Sequence, residues 1–342
     1  MTMSRRSSSV TIRDVAKKAG VSVATVSRYI NRNTPVSPEV SERLEQVMNE
    51  MKYVPHAAAR QLASRKTHVI GLLLTNMHND FFAPLLNGIE QVVRDKGYNL
   101  LVATYHADGQ NVPHPPIGPH NTDGLLVFAD SLLDDDLMEL NTNGFPMVLI
   151  HRTPPPSLPL PSVTVENKTA THNLVNHLIV EHHKKRILLM RGPNHQEDSY
   201  WRESGYRSAL EANGIPFDDD LVLEGDFERE IAHEALNHFL GNGKRVAFDA
   251  VFAGDDDAAI GVINSLQENG YRVPEDIAVV GFDDLRLSAF LTPPLTTVRA
   301  PTEKVGRIAT ERLFGLLNNE VSDGVMLLPT EIIIRRSCGC NL

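Results

Sequence analysis

The clearest chemistry in the sequence sits on one short run, Val23-Ala-Thr-Val-Ser-Arg-Tyr-Ile-Asn31. Helical spacing turns Val26 and Ile30 inward and leaves Val23, Ala24, Thr25, Ser27, Arg28 and Asn31 outward. This outer face is nearly free of negative charge and short in side chain at its start. It fits against base-pair edges: Arg28 can give two parallel hydrogen bonds to a guanine, and Val23 and Ala24 suit thymine methyl groups. The helix N-terminus beside Ser22 suits a phosphate. The elements that must position these groups lie just upstream. Thr11 is a good N-cap, Ile12, Val15, Ala16 and Ala19 fall at helical spacing, and Gly20 can take the left-handed turn that ends a helix. Ser22 then caps the second helix. The run is a helix-turn-helix of the DNA-binding kind, against the plainer alternative of an amphipathic helical hairpin.

Downstream, Ser37 caps a third helix with Pro38 at its first position, and Val40, Leu44, Val47 and Met51 form its apolar stripe. That stripe closes a three-helix core with Ile12, Val15, Val26 and Ile30, in a unit small enough to be marginally stable. After Pro55, His56-Ala-Ala-Ala-Arg-Gln-Leu-Ala63 has high helix propensity but spans barely two turns. It is either an ordinary linker or a segment that folds on docking. Its small alanines allow close helix–helix approach, and Leu62 is an isolated apolar side chain that can wedge into a base step of the minor groove. Charge agrees with this division. Residues 1–66 hold 12 Lys and Arg against 5 Asp and Glu, a balance of +7 in a chain whose net charge is −10. A basic head on an acidic body binds phosphate through the head only.

Other chemistries find little support. No apolar run reaches membrane-spanning length, and Met1–Ser9 lacks the apolar core of a signal peptide, so the chain is expected in the cytoplasm, away from membranes. The two cysteines, Cys338 and Cys340, are too few for a tetrahedral zinc site and too close for a relaxed disulfide, and are expected as reduced terminal thiols. His106, His114 and His120 match no compact ligand spacing, so no metal is expected. There is no nucleophile–base–orienter series and no phosphate-binding glycine–lysine loop. No enzyme activity and no cofactor are expected.

From Val69 the pattern changes to short apolar runs between helical stretches: Val69–Leu74, Asn99–Ala103, Gly124–Phe128, Met147–Ile150, Arg186–Met190, Ala250–Ala253 and Ile277–Phe282. Such runs imply parallel sheets covered on both faces, and too many strands for one sheet. Between Ala103 and Asp123, four prolines and two glycines exclude a regular helix. A second proline-rich stretch, Thr153–Pro161, is expected on the surface at a cleft rim, and His182-His-Lys-Lys185 as a solvated helix end.

The run Thr11–Asn31, the segment Tyr53-Val-Pro-His-Ala-Ala-Ala-Arg-Gln-Leu62 and Gly281-Phe-Asp-Asp284 together resemble the LacI/GalR family of bacterial repressors, along nearly the whole chain. The resemblance implies a multidomain protein: an all-α helix-turn-helix head and an α/β body of two Rossmann-like subdomains, similar to periplasmic binding proteins. The head takes 10–55, a hinge 56–66 and the body 67–342. The body's N-subdomain is 67–167 with 297–328 and its C-subdomain 168–296 with 329–342, with crossings near Asn167, Thr296 and Leu328. Val23, Ala24 and Arg28 then read bases, Thr11, Ser22, Thr25, Ser27 and Asn31 meet the DNA backbone, and Ala59, Arg60 and Leu62 enter the minor groove. The effector pocket draws on Asn79, Phe81, Phe82, His151, Asp198, Arg202, Phe227, Asp255 and Asp283. Three positions depart from the family pattern: Asp255 replaces asparagine, His151 aspartate and Ala300 glutamine. Carboxylates opposite a guanidinium suit vicinal hydroxyls. The expected function is a homodimeric transcriptional repressor of a pseudo-palindromic operator, controlled by a sugar or oligosaccharide. The alternatives are a purine-type corepressor-dependent regulator and a sugar-binding protein without DNA activity.

Overall fold

The computed structural model describes residues 10–31, 36–53, 66–78, 80–105, 115–241, 247–322 and 324–341. The chain divides into two compact units, Met1–Thr67 and His68–Leu342.

The first unit contains α1 (Ile12–Ala19), α2 (Val23–Asn31) and α3 (Pro38–Glu50). Thr11 and Asp14 form a reciprocal box at the start of α1. The Asp14 amide donates to Thr11 Oγ1 at 3.4 Å, and the Thr11 amide donates to Asp14 Oδ2 at 2.9 Å. The Thr11 hydroxyl, which also donates to Asp14 Oδ2 at 2.7 Å, and then the Thr11 amide hold the Asp14 carboxyl below its ordinary range. Gly20 ends the helix at φ 66°, a left-handed conformation that a Cβ would strain. Ser22 starts α2 by accepting the Thr25 amide at 3.1 Å. The expected cap at Ser37 is not formed by its hydroxyl; α3 starts on Pro38, whose ring presets the helical φ. Val15, Ala16, Ala19, Val26, Leu44 and Val47 are buried together, with Ile12, Ile30, Val40 and Met51 packed around them.

The second unit runs β1 (Val69–Leu74), α4 (Phe82–Asp95), β2 (Asn99–Thr104), β3 (Gly124–Phe128), α5 (Asp134–Asn141), β4 (Met147–Ile150) and β5 (Ser162–Val165). It continues as α6 (Lys168–Val180), β6 (Ile187–Arg191), α7 (Glu197–Ala212), β7 (Val222–Glu224), α8 (Arg229–Gly241), β8 (Ala250–Ala253), α9 (Asp256–Glu268), β9 (Ala278–Asp283) and β10 (Thr296–Arg299). It closes with α10 (Thr302–Leu317), β11 (Val325–Leu328) and β12 (Glu331–Ile333). The strands form two sheets, ordered β11-β5-β4-β3-β1-β2 and β12-β10-β9-β8-β6-β7. Every pairing is parallel except β10 with β12. The head is helical and the body is two parallel-sheet α/β subdomains. The chain passes between the sheets after β5, after β10 and after β11. The second passage therefore lies beyond Arg299 rather than near Thr296, because Thr296 to Arg299 pair in register with Val280 to Asp283 of the second sheet.

The inner strands are apolar because helices or loops cover both faces. Ile70, Leu72 and Leu74 of β1 are buried in the same core as Leu85, Ile89 and Val305 of the covering helices. Leu73, Leu125 and Val127 belong to a second core that also takes in Ile117, Leu158 and Leu160. Ile117 is 1% exposed, so the stretch after β2 supplies an apolar plug, and among its described residues there is no helix. His106 and His114 lie outside the described residues. Leu158 and Leu160 correct the expectation for 153–161: part of that loop is core, packed with Leu137 of α5 and Ile117 over the first sheet. No helix among the described residues is long and apolar enough to cross a membrane.

Candidate recognition face and effector cleft

On α2 the side chains separate as their spacing requires. Val26 is fully buried, while Val23 is 42% exposed and Ala24 and Arg28 are exposed. No acidic residue lies in the first turn of α2. Thr25 and Ser27 are half-buried, and Ser22 and Thr11 are exposed with their hydroxyls engaged in the two helix caps. Those caps fix the helix start that would face a phosphate. Asn31 is the last residue of α2. Ala59, Arg60 and Leu62 lie outside the described residues, as does Asn79.

In the body, polar groups converge where the C-terminal ends of β6, β8 and β9 face the first sheet, the usual ligand position in open α/β sheets. Arg202, on α7, is only 3% exposed. Its Nε donates to Asn167 Oδ1 at 2.9 Å, Nη1 to the Gly254 carbonyl at 2.6 Å and Nη2 to Asp283 Oδ1 at 3.1 Å. The guanidinium lies 3.8 Å from the centroid of Phe282 and 5.2 Å from that of Phe227. Phe227 can lie there because Gly192 and Gly254 leave room: a Cβ on Gly192 would stand 2.2 Å from its ring.

Asp198 sits one turn before Arg202. His151 Nδ1 lies 2.8 Å from Asp198 Oδ2, and Asn167 Nδ2 donates to Asp198 Oδ1 at 2.8 Å. Burial works against ionisation of Asp198, but His151 and Arg202 overcome it and hold the carboxyl below its ordinary range. Asp198 Oδ2 accepts the hydrogen bond from His151 Nδ1–H, which leaves Nε2 on the far side of the ring. That Nε2 is buried and makes no hydrogen bond within the protein. Phe81 and Phe128 border it, with ring centroids 5.7 and 5.5 Å from the imidazole.

The two remaining acids behave differently. Asp255 caps α9, accepting the Ala258 amide at 2.8 Å. Burial, reinforced by the nearby charge of Asp283, pushes its carboxyl well above the ordinary range. Burial also raises Asp283, although Arg202 opposes it. Asp283 and Asp284 both have positive φ, 105° and 58°. The strained turn is pinned from two sides: Arg202 holds Asp283, while Arg299 and Arg335 hold Asp284 at 2.7 and 2.6 Å.

The structure thus gathers Phe81, His151, Asp198, Arg202, Phe227, Asp255 and Asp283. Phe82 also reaches this space but is mainly core, edge-on to Phe128. All of them except His151, which stands behind Asp198, line a cavity of about 70 Å³. A wider groove of about 970 Å³ opens beside it and shares Phe81 and Asp283. The aromatic faces and the buried charges converge on the smaller space and not on the groove. Two positioning residues escaped the sequence reading. Asn167 bridges Asp198 and Arg202. Asp256, fully buried, accepts from Ser288 and Thr297 hydroxyls at 2.5 Å each and from the Leu285 amide at 2.9 Å. It joins α9 to the loop after β9 and to β10.

Comparison with known proteins agrees with both halves. Residues 11–56 match the model for bacterial regulatory proteins of the lacI family, and residues 175–338 match that for a periplasmic binding protein-like domain. Catabolite control protein A of Priestia megaterium is 32% identical, covering 96% of this chain and 99% of its own. The crystal structure of the lac repressor dimer bound to operator and the anti-inducer ONPF superposes with a TM-score of 0.81 at 26% identity, over 96% of this chain and 99% of that one. The complex of the transcriptional regulator CelR with cellobiose gives a TM-score of 0.68 at 29% identity, over 96% and 99%. At this identity along its whole length, the chain belongs to the lacI family of bacterial regulatory proteins, which are DNA-binding transcriptional repressors rather than enzymes.

Proposed function

We propose that this repressor binds a pseudo-palindromic operator as a homodimer and that a hydroxyl-rich small molecule, a sugar or short oligosaccharide, sets its operator affinity. The observation that carries the effector class is the buried Arg202 guanidinium, flanked by Asp198 and Asp283 and faced by Phe227. Vicinal hydroxyls can replace both kinds of partner, donating to carboxylates and accepting from the guanidinium. His151 Nε2, unpartnered within the protein, offers one further hydrogen bond to a hydroxyl once the cleft opens, and Phe81 and Phe227 offer apolar ring faces. The cellobiose complex of a relative supports the same class.

In this reading Val23, Ala24 and Arg28 read base edges, Thr11, Ser22, Thr25, Ser27 and Asn31 meet phosphates, and Ala59, Arg60 and Leu62 serve the minor groove. A cavity of about 70 Å³ is far below the roughly 300 Å³ at which ligand pockets begin, so the subdomains open for the effector to enter. The effector then trades places with the protein's own Arg202 and carboxylate contacts and changes how the subdomains close. Such coupling is typically about 1–3 kcal/mol.

The test is a titration of the full chain with a panel of mono- and disaccharides and nucleobases by calorimetry, paired with gel shifts on a symmetric operator. A saccharide that binds and changes operator affinity supports the reading. Response to a nucleobase alone, or operator binding unaffected by any saccharide that binds, would overturn it.

A further inference from the structure

Cys338 and Cys340 are not the lone thiols that their spacing suggests. The tail after β12 brings them against His177, on the last turn of α6, and His182, in the turn that follows. Cys340 Sγ lies 3.3 Å from His182 Nε2 and 3.6 Å from His177 Nε2, and the two Nε2 atoms are 3.2 Å apart. All four ligating atoms fall within 4.8 Å of one another. Around a tetrahedral Zn²⁺ held at about 2.3 Å from sulfur and about 2.0 Å from nitrogen, neighbouring ligand atoms stand roughly 3.3–3.8 Å apart. The cluster already has nearly that spacing before any ion draws it together. It also has the ligand set, two thiols and two imidazoles, that soft borderline cations prefer.

The surroundings behave as a support for such a site. Thr296 Oγ1 donates to Cys338 Sγ at 3.1 Å, and that cysteine is 1% exposed, so its orientation is fixed from behind. Gly339 has φ 108°, and a Cβ there would stand 3.1 Å from His182 Nδ1. Glycine between the thiols therefore lets both turn to one side while the His182 ring packs against the loop.

We propose that His177, His182, Cys338 and Cys340 form a closed tetrahedral site for Zn²⁺ that staples the C-terminal tail to the end of α6. Four protein ligands leave no open position, which makes the site structural. It lies where α6 ends and β6 and β10 begin, at the end of the second sheet opposite Gly254 and Asp283, and so is separate from the effector position. The ion fixes the tail after the chain's last passage between the sheets, and metal binding becomes part of the body's folding free energy.

The test uses the full chain, purified under reducing conditions without chelator. Elemental analysis should find one zinc per chain. Chelator-treated protein given Co²⁺ should show the intense visible absorption of tetrahedral thiolate coordination. Cys340→Ser and His182→Ala should each lose both signals, while His183→Ala, at an exposed neighbour, keeps them. Chelation should lower the Tm of the wild type and leave that of Cys340→Ser unchanged. Absence of zinc together with only the weak spectrum of six-coordinate Co²⁺ would overturn the proposal. So would unchanged metal uptake in Cys340→Ser combined with His182→Ala.

Discussion

The proposed recognition face of α2 and the proposed effector cleft around Arg202 are prepared in opposite ways. On α2 the side chains proposed to read bases, Val23, Ala24 and Arg28, are exposed, and the fixed parts are the caps at Thr11 and Ser22. In the cleft the groups proposed to read the effector are themselves the fixed parts: Arg202 and Asp283 are buried, Asp198 is half-buried, and they are already bonded to one another or to Asn167. The first arrangement presents unspent donors to a ligand. The second asks a ligand to displace existing bonds, so binding is necessarily coupled to rearrangement. A face that only needs affinity can stay rigid; a site that must report occupancy needs contacts to break.

The sharpest way to break this contrast is Arg202→Ala. It strands Asp283 and Asn167 in a buried site, and should destabilise the body by about 3–5 kcal/mol in urea unfolding. Effector binding by calorimetry should vanish. A variant of unchanged stability would mean that the buried network is not the fixed frame described above.

Next in size is the pH dependence set by Asp256. Burial raises its carboxyl from 3.8 to about 7. The folded chain therefore holds that proton more tightly than the unfolded chain between about pH 4 and pH 7. Its contribution to stability is complete below about pH 4 and is lost as pH rises through about 7. Asp255 and Asp283, also raised, act in the same direction, while Asp198, lowered, acts oppositely: its contribution is present above the ordinary carboxylate range and is lost as pH falls. Asp256→Asn should flatten the decline of Tm between pH 5 and 7. An unchanged slope would place the titration elsewhere.

How much of each region was legible follows from the same contrast. The head's pairs are three residues apart, Thr11 with Asp14 and Ser22 with Thr25, so local spacing exposes them. The cleft's pairs are 47 and 81 residues apart, His151 with Asp198 and Arg202 with Asp283, and no periodicity connects them. Only the family resemblance placed them together. Asp255-Asp-Asp257 shows the limit most plainly. In sequence the three acids are alike, but Asp255 caps a helix, Asp256 ties three segments and Asp257 pairs with Arg229 at 2.7 Å. The cysteine–histidine cluster was missed for the same reason, its members lying some 160 residues apart. The alternation of short apolar strands and helices survives in sequence because burial on two faces leaves few polar positions, and both sheets could be anticipated.

Arg28→Ala sharpens the comparison on the head's side. A bidentate contact to a base is worth about 1–3 kcal/mol of discrimination, so operator affinity should fall by that amount while binding to unrelated DNA changes little. Equal losses on both DNAs in salt-dependent gel shifts would make Arg28 a phosphate contact.

The smallest effect separates positioning from reading within the head. Ser22 accepts the Thr25 amide and so fixes the start of α2, and its loss in Ser22→Ala should cost about 1 kcal/mol of head stability. A cap acts on the whole helix start, which meets phosphates whatever the base sequence. Ser22→Ala should therefore weaken operator and scrambled DNA by nearly the same factor, in contrast to Arg28→Ala. If Ser22→Ala instead lowered operator binding alone, its hydroxyl would be touching a base edge, and the division between fixed caps and exposed readers on this face would be wrong.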